Sequence, residues 1–367
     1  SADSVATSLT VPPSSSSCVP IEGSPRSGSG ILRSPETVSE NGNRSKRRPK
    51  NVRFSLTVRT YILPEDPDPE TISPDVEEPR VPKVHTRRIP TTSRFQFVDG
   101  RRFLENKNFM LPSDNDELMR LEFQHYMLRQ TFQGNFTAPM DEKLERGIKV
   151  LDVGCGSGTW ILELSADFPK SHFTGSDILD TERNHTRPNV TFIVADTLGL
   201  PFEDNTFDYV MQRLMVTVFT EEQWKMAVKE MVRVVKPGGI VEIIESEVRQ
   251  YERGPNYTKW NNAFYEILKR RGVYVDVTDD LGELLEPYFQ EIHCDYVSYP
   301  IRWGGRLGGM AGDNIKKIVE TLRPMLRPFM KMTEEGYKEM VEQAYIEMKE
   351  CKTLGNLHYT FGIKPLE

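Results

Sequence analysis

The sequence predicts an α/β domain, a mostly parallel sheet flanked by helices, preceded by a long tail of different character. Two observations carry the domain. Between about residues 147 and 248, short apolar runs of strand length alternate with amphipathic segments of helix length, the pattern of crossover units in a parallel sheet. The first of those runs, Lys149-Val150-Leu151-Asp152-Val153, ends in Gly154-Cys155-Gly156-Ser157-Gly158, a strand-to-helix turn built for a ligand. A third observation carries the tail. Thirteen of the 25 prolines precede Thr91, among serine runs such as Ser14 to Ser17 and with little apolar periodicity.

Residues 1–92 therefore read as a disordered Pro/Ser-rich tail, whose few apolar groups cannot offset chain entropy. Within it, Arg44-Ser45-Lys46-Arg47-Arg48-Pro49-Lys50 is a basic run, readable as a nuclear import signal, a contact for an acidic partner or a solvated charge run. Residues 93–367 read as the folded domain. Asp116 to Phe132 carries apolar residues at near-helical spacing (Leu118, Leu121, Phe123, Tyr126, Met127, Phe132), with Ser113 or Asp114 as N-cap. After the glycine turn, Thr159 to Phe168 is expected to be helical. Strands are expected at His172–Ser176, Thr191–Ala195, Phe207–Met211 and Ile240–Ile244. Thr220-Glu221-Glu222-Gln223 is a capping box opening a helix with Trp224, Ala227, Val228, Met231 and Val235 inward, stopped by Pro237-Gly238-Gly239. Further on, Lys259–Arg271 and Glu334–Lys352 read as helices and Ile292–Tyr299 and Leu357–Ile363 as strands. Pro324 and Pro328 should break or kink the segment that begins near Asn314.

Composition narrows the function. The chain has 367 residues and a net charge of −7, unevenly distributed: 14 Lys and Arg against 11 Asp and Glu up to residue 95, then 33 against 43. So acidic a folded part is a poor nonspecific grip on nucleic acid. No stretch reaches the roughly 18–20 apolar residues of a membrane span. No charged-then-apolar leader opens the chain. The four cysteines (Cys18, Cys155, Cys294, Cys351) have neither CxxC spacing nor a Cys/His cluster, so neither a zinc site nor a disulfide framework is expected. A reducing compartment, cytoplasmic or nuclear, fits this cysteine usage.

The chemistry-bearing residues sit at predicted strand ends. Asp152 precedes the glycine turn. Asp177, 19 residues after Gly158, ends the second strand, where a carboxylate can accept from both hydroxyls of a ribose. Asp196 ends the third strand, placed for an exocyclic amine of a purine, and Gln212-Arg213 closes the fourth. A plainer reading gives Asp152 and Asp177 turn or cap roles. A dinucleotide site would want G-x-G-x-x-G, but the third glycine position is Thr159 or Ile161. Asp152 would also repel a pyrophosphate, whereas it suits a ligand carrying an amine and a sulfonium.

Val150-Leu151-Asp152-Val153-Gly154-Cys155-Gly156-Ser157-Gly158 resembles motif I of class I S-adenosylmethionine-dependent methyltransferases. Ser176-Asp177, Ala195-Asp196, Phe207-Asp208-Tyr209-Val210 and Val235-Lys236-Pro237-Gly238-Gly239 resemble the motifs that follow, in order. Upstream, Asn108 to Pro112 and Arg120-Leu121-Glu122-Phe123-Gln124-His125 are similar to the segment before motif I in fungal LaeA-like methyltransferases. The resemblance implies a Rossmann-like sheet of seven strands with the last inserted antiparallel. It divides the domain into a lid segment (93–146), a cofactor-binding core (147–248) and substrate-covering helices and final strands (249–367). It implies S-adenosyl-L-methionine as cofactor. Asp152 with Gly154, Cys155, Gly156, Ser157 and Gly158 would hold the methionine end; Asp177, with Ile178 beside it, the ribose; Asp196 and Thr197 the adenine; and Gln212 would lie near the reacting methyl. Cys155 reads as a packing residue rather than a nucleophile.

The expected activity is methyl transfer to a small-molecule or protein acceptor. The aromatic residues Tyr251, Tyr257, Trp260, Phe264, Tyr265 and Trp303 fit an apolar small-molecule pocket, and fit an ordinary core nearly as well. His125, Tyr126 and Arg213 are candidates for handling a substrate proton from the resemblance alone; His125 reads more readily as a structural histidine, and Arg213 equally well as an ion-pair partner. The same resemblance implies a link to regulation of secondary metabolism. The alternative is a catalytically weak regulatory protein that keeps the fold and binds protein partners.

Overall fold

The computed structural model describes residues 95–105, 109–180 and 187–366. The expected disordered tail and its basic run at 44–50 lie outside the described residues. A hairpin comes first, β1 (Phe95–Val98) and β2 (Arg101–Leu104). Helices α1 (Asn115–Phe132) and α2 (Asp141–Arg146) then lead to β3 (Lys149–Val153), α3 (Thr159–Asp167), β4 (His172–Asp177) and β5 (Val190–Val194). β6 (Phe207–Arg213), α4 (Glu221–Val234) and β7 (Val235–Ser246) complete the core. Helices α5 (Pro255–Arg270) and α6 (Val277–Leu285) precede β8 (Glu291–Pro300). α7 (Arg306–Thr321), α8 (Arg323–Phe329) and α9 (Glu334–Glu350) precede β9 (Leu354–Ile363).

The main sheet has seven strands in the order β5-β4-β3-β6-β7-β9-β8. β3 pairs in parallel with β4 and β6, while β9 is antiparallel to both of its neighbours, as the resemblance implied. The fold is Rossmann-like. The order in which strands are added reverses between β3 and β6, and the carboxyl ends of these two parallel strands frame the crevice where open α/β sheets hold ligands. Trp160, Tyr209, Phe173 and Leu151 are fully buried against the sheet, each worth about 1.5–3 kcal/mol on removal from water. No helix among the described residues is long and apolar enough to cross a membrane.

Two expectations need correction. First, α1 buries only part of the expected apolar set: Met127 is buried, while Leu118, Leu121, Phe123 and Phe132 are half-buried. Its most buried residues are Glu117, Arg120, His125, Met127 and Leu128, and Tyr126 is exposed. The polar members face packed neighbours rather than solvent because they pair with one another and with α3 and α7. Second, the expected stop at Pro237-Gly238-Gly239 is a bulge inside β7. The helix ends at Val234, strand pairing begins at once with Phe207 opposite Val235, and the register shifts before Tyr209 meets Ile240. A Cβ on Gly239 would stand 2.8 Å from the Lys236 carbonyl, so this close turn needs glycine. The break expected before Pro324 and Pro328 does form: α7 ends at Thr321, Pro324 lies in the first turn of the separate helix α8, and Pro328 lies inside it. The capping box at Thr220 and Gln223 forms as expected.

Candidate functional site

A cavity of about 330 Å³ opens at the carboxyl ends of β3, β4 and β6. Its floor is the turn between β3 and α3. Gly154, Gly156 and Gly158 all adopt positive φ (70°, 53° and 75°), conformations that side chains with a Cβ rarely take. A Cβ on Gly156 would also stand 3.1 Å from Leu121 of α1, so the floor and the α1 wall approach closely.

Asp177 ends β4 and ties the floor together. Its Oδ2 accepts from the Gly156 N–H (2.9 Å) and its Oδ1 from the Leu179 N–H (3.0 Å). Both the turn role and the ligand role anticipated for Asp177 are therefore compatible, because a carboxylate offers about four acceptor positions. Asp152 is buried at the end of β3, and Cys155, Ser157 and Ile178 line the cavity around it. Asp196 and Thr197 line the far end. Asp196 caps a single 3-10 turn by accepting from the Leu198 N–H (3.0 Å), and Thr197 is buried.

Two expected residues fall outside the lining: Gly158, which shapes the turn as the N-cap of α3, and Gln212. Gln212 is fully buried and does not line the cavity; its neighbour Arg213 does. Strand alternation is the reason. Tyr209 and Arg213, four residues apart, both face Trp160, so Gln212 points to the opposite side of β6.

Trp160, absent from the expected set, forms much of the inner wall, its Nε1 donating to the Asn135 carbonyl (2.7 Å). The guanidinium of Arg213 lies 5.4 Å from the Trp160 ring centre. Burial pulls the Arg213 pKa below its ordinary value, with the negative charge of Asp152 opposing the shift. His125 lines the same wall. One ring nitrogen, Nε2, meets Glu163 at 2.9 Å, and the other, Nδ1, is buried without a hydrogen-bond partner. Burial pushes the His125 pKa down, with Glu163 opposing and the nearby Arg213 reinforcing the shift, so the ring is neutral at pH 7. A neutral ring then donates from Nε2 to Glu163.

Beyond the floor the cavity continues between Tyr257, Trp260 and Phe264 of α5 and Ile315 and Ile318 of α7. Of the aromatic residues singled out in the sequence, these three of α5 line the cavity, whereas Tyr251, Tyr265 and Trp303 do not. α5 and α7, far apart in sequence, line the same cavity only in the folded chain.

The arrangement fits S-adenosylmethionine on its own geometry: a glycine floor with room against the peptide plane, a carboxylate at the second strand end, and a buried acid beside a half-buried base for an amino acid's two charges. The comparisons with known proteins agree. A family described as a methyltransferase domain matches residues 150–239. Among curated proteins, the N-methyltransferase sirN of Leptosphaeria maculans is 27% identical over 271 residues, which cover 69% of this chain and 93% of sirN. The demethylmenaquinone methyltransferase of Staphylococcus aureus is 38% identical over 113 residues, 29% of this chain and 46% of that protein, so the match spans about half the length of this relative. A solved phosphoethanolamine N-methyltransferase 2 of Haemonchus contortus, in complex with S-adenosyl-L-methionine, is similar at 19% identity and TM-score 0.40, covering 66% of this chain and 57% of that one. That likeness is loose, and the assignment rests on the domain match and the motif geometry. Residues 150–239 thus match a methyltransferase domain, on the fold and at the cavity where S-adenosylmethionine fits.

Proposed function

We propose that this protein transfers the methyl group of S-adenosylmethionine to a small-molecule acceptor, with a protein side chain as the second acceptor class. The observation that carries the reading is the continuity of one cavity from the glycine floor to the aromatic wall of α5, which gives cofactor and acceptor adjoining places. The name of sirN, an N-methyltransferase, makes an amine nitrogen the first acceptor chemistry to screen.

S-adenosylmethionine supplies a methyl group already activated by a sulfonium. The protein's task is therefore alignment and exclusion of water, which carry much of the rate in such displacements. Asp152 and the turn Gly154, Cys155, Gly156, Ser157 and Gly158 would hold the methionine end. Asp177 and Ile178 would hold the ribose, and Asp196 and Thr197 the adenine. Gln212, set behind the wall, would support the strand end rather than touch the ligand. Residues 93–146 and 249–367 would cover the acceptor and residues 147–248 the cofactor. The tail 1–92, a cytoplasmic or nuclear setting, regulatory protein partners and a link to secondary metabolism complete the proposal, resting on the sequence resemblance and the basic run at 44–50.

Calorimetric titration with S-adenosylhomocysteine tests the reading. Micromolar binding, about −8 kcal/mol, lost in Asp177→Ala, is the expected result. A correctly folded wild-type protein that binds none would overturn it and favour the regulatory alternative.

A further inference from the structure

Asn314 of α7 is only 3% exposed, yet it lines the cavity beside Ile315 and Ile318, in a wall completed by Leu111, Phe264 and Leu322. Its side-chain oxygen accepts from Nη1 of Arg120 on α1 (2.8 Å). A guanidinium carries donors only, so the amide must turn its oxygen to Arg120 and its nitrogen away. Arg120 is itself held, its Nε and Nη2 donating to the two oxygens of Glu117 (2.9 and 2.7 Å). The Asn314 amide is therefore fixed in one of its two orientations. Among the described residues nothing accepts from its nitrogen. Unlike Nδ1 of His125, which is sealed in, this nitrogen stays open to the cavity.

We propose that Asn314 is a specificity-determining donor in the acceptor half of the cavity, and that it receives a carbonyl oxygen (of a ketone, amide or lactam) on a neutral, largely apolar methyl acceptor. A donor set in an apolar wall gains most from an uncharged acceptor oxygen, which costs less to take out of water than an anion does. The Arg120–Glu117 pair behind the amide is neutral as a unit and lends no net charge to attract a carboxylate. A carboxylate would give up its water for one neutral amide, a poor exchange. The inference rests on the methyl-transfer reading above, and binding of S-adenosylhomocysteine tells the failure of one from the failure of the other.

The probes are two matched pairs of neutral bicyclic fragments that differ by one carbonyl, oxindole against indoline and indanone against indane. Indoline carboxylate is the charged counterpart. Each is titrated into the full chain saturated with S-adenosylhomocysteine, and its affinity is read by saturation-transfer NMR. Wild type should bind the carbonyl member of each pair about three- to tenfold more tightly, the scale of one neutral hydrogen bond. It should bind the carboxylate more weakly than either member of the indoline pair. Asn314→Leu should reverse the preference, because the carbonyl then loses its water without gaining a donor. Gln124 also accepts from Nη1 of Arg120 (3.3 Å), so the guanidinium stays anchored in that variant. Asn314→Asp keeps the shape and the bond to Arg120 but replaces the donor by an acceptor, and should reverse the preference even if Asn314→Leu fails to fold.

A carbonyl preference that survives both substitutions overturns the proposal. So does a wild type that binds the members of a pair equally, binds neither, or binds the carboxylate most tightly; with S-adenosylhomocysteine still bound, the cofactor reading stands. Folded wild type that binds no S-adenosylhomocysteine defeats both readings at once.

Discussion

Glu245 lies fully buried near the end of β7 and accepts from two consecutive backbone N–H groups, Met215 (2.8 Å) and Val216 (2.9 Å), which belong to the cavity-lining loop after β6. Burial pushes its carboxyl up from 4.5 to about 8, with the two backbone donors opposing the shift. The folded chain therefore holds this proton more tightly than the unfolded chain does. Glu245's share of stability is complete below pH 4.5 and is lost as the pH rises toward 8. Glu245→Gln, which mimics the neutral form, should flatten the fall of urea-unfolding stability between pH 5 and pH 8; an unchanged slope would refute the assignment. The sequence makes Asp152 and Asp177 legible because each stands at a fixed offset from the glycine turn. It does not reveal Glu245 in the same way, because the backbone donors that hold it belong to a loop that only the pairing of β6 with β7 brings against it.

Helix α1 is tied to α7 through a buried charge network. Arg120 donates to both Glu117 oxygens (2.9 and 2.7 Å) and to Asn314 of α7 (2.8 Å), and all three side chains are nearly inaccessible. Arg120→Met should destabilise the fold by about 3–5 kcal/mol by leaving Glu117 charged and unpaired. Combining it with Glu117→Leu should recover much of the loss. Chemical denaturation of the two variants decides this, and a double variant as unstable as the single one would contradict it. At the start of α4, Thr220→Ala should cost about 1 kcal/mol, because it removes the hydroxyl that accepts from the Gln223 N–H. That cap was readable from four residues. The α1 network was not, because helical periodicity in hydrophobicity assumes an apolar inner face, and here the inner face is polar and paired. The β1–β2 hairpin also escaped the sequence reading, although Asp99-Gly100, both at positive φ (51° and 76°), is the dipeptide that such two-residue turns require.

For the whole molecule, ligand binding and folding are linked by mass action. At about a hundred times its dissociation constant, S-adenosylhomocysteine should stabilise the fold by about 2.7 kcal/mol and raise the midpoint of thermal unfolding by roughly 5–10 °C. Asp177→Ala should show almost no shift at the same concentration; a full shift in the variant would place the ligand elsewhere. The sheet order carries a consequence for how the molecule is made. β8 touches the sheet only through β9, which is synthesised later and slots between β7 and β8. On the ribosome, finished strands therefore wait with bare hydrogen-bonding edges while the 53 residues between Pro300 and Leu354 are added. At about 5–20 residues per second that wait lasts several seconds, long enough for a nascent chain to meet a chaperone or a neighbouring polysome's product before its own last strand arrives.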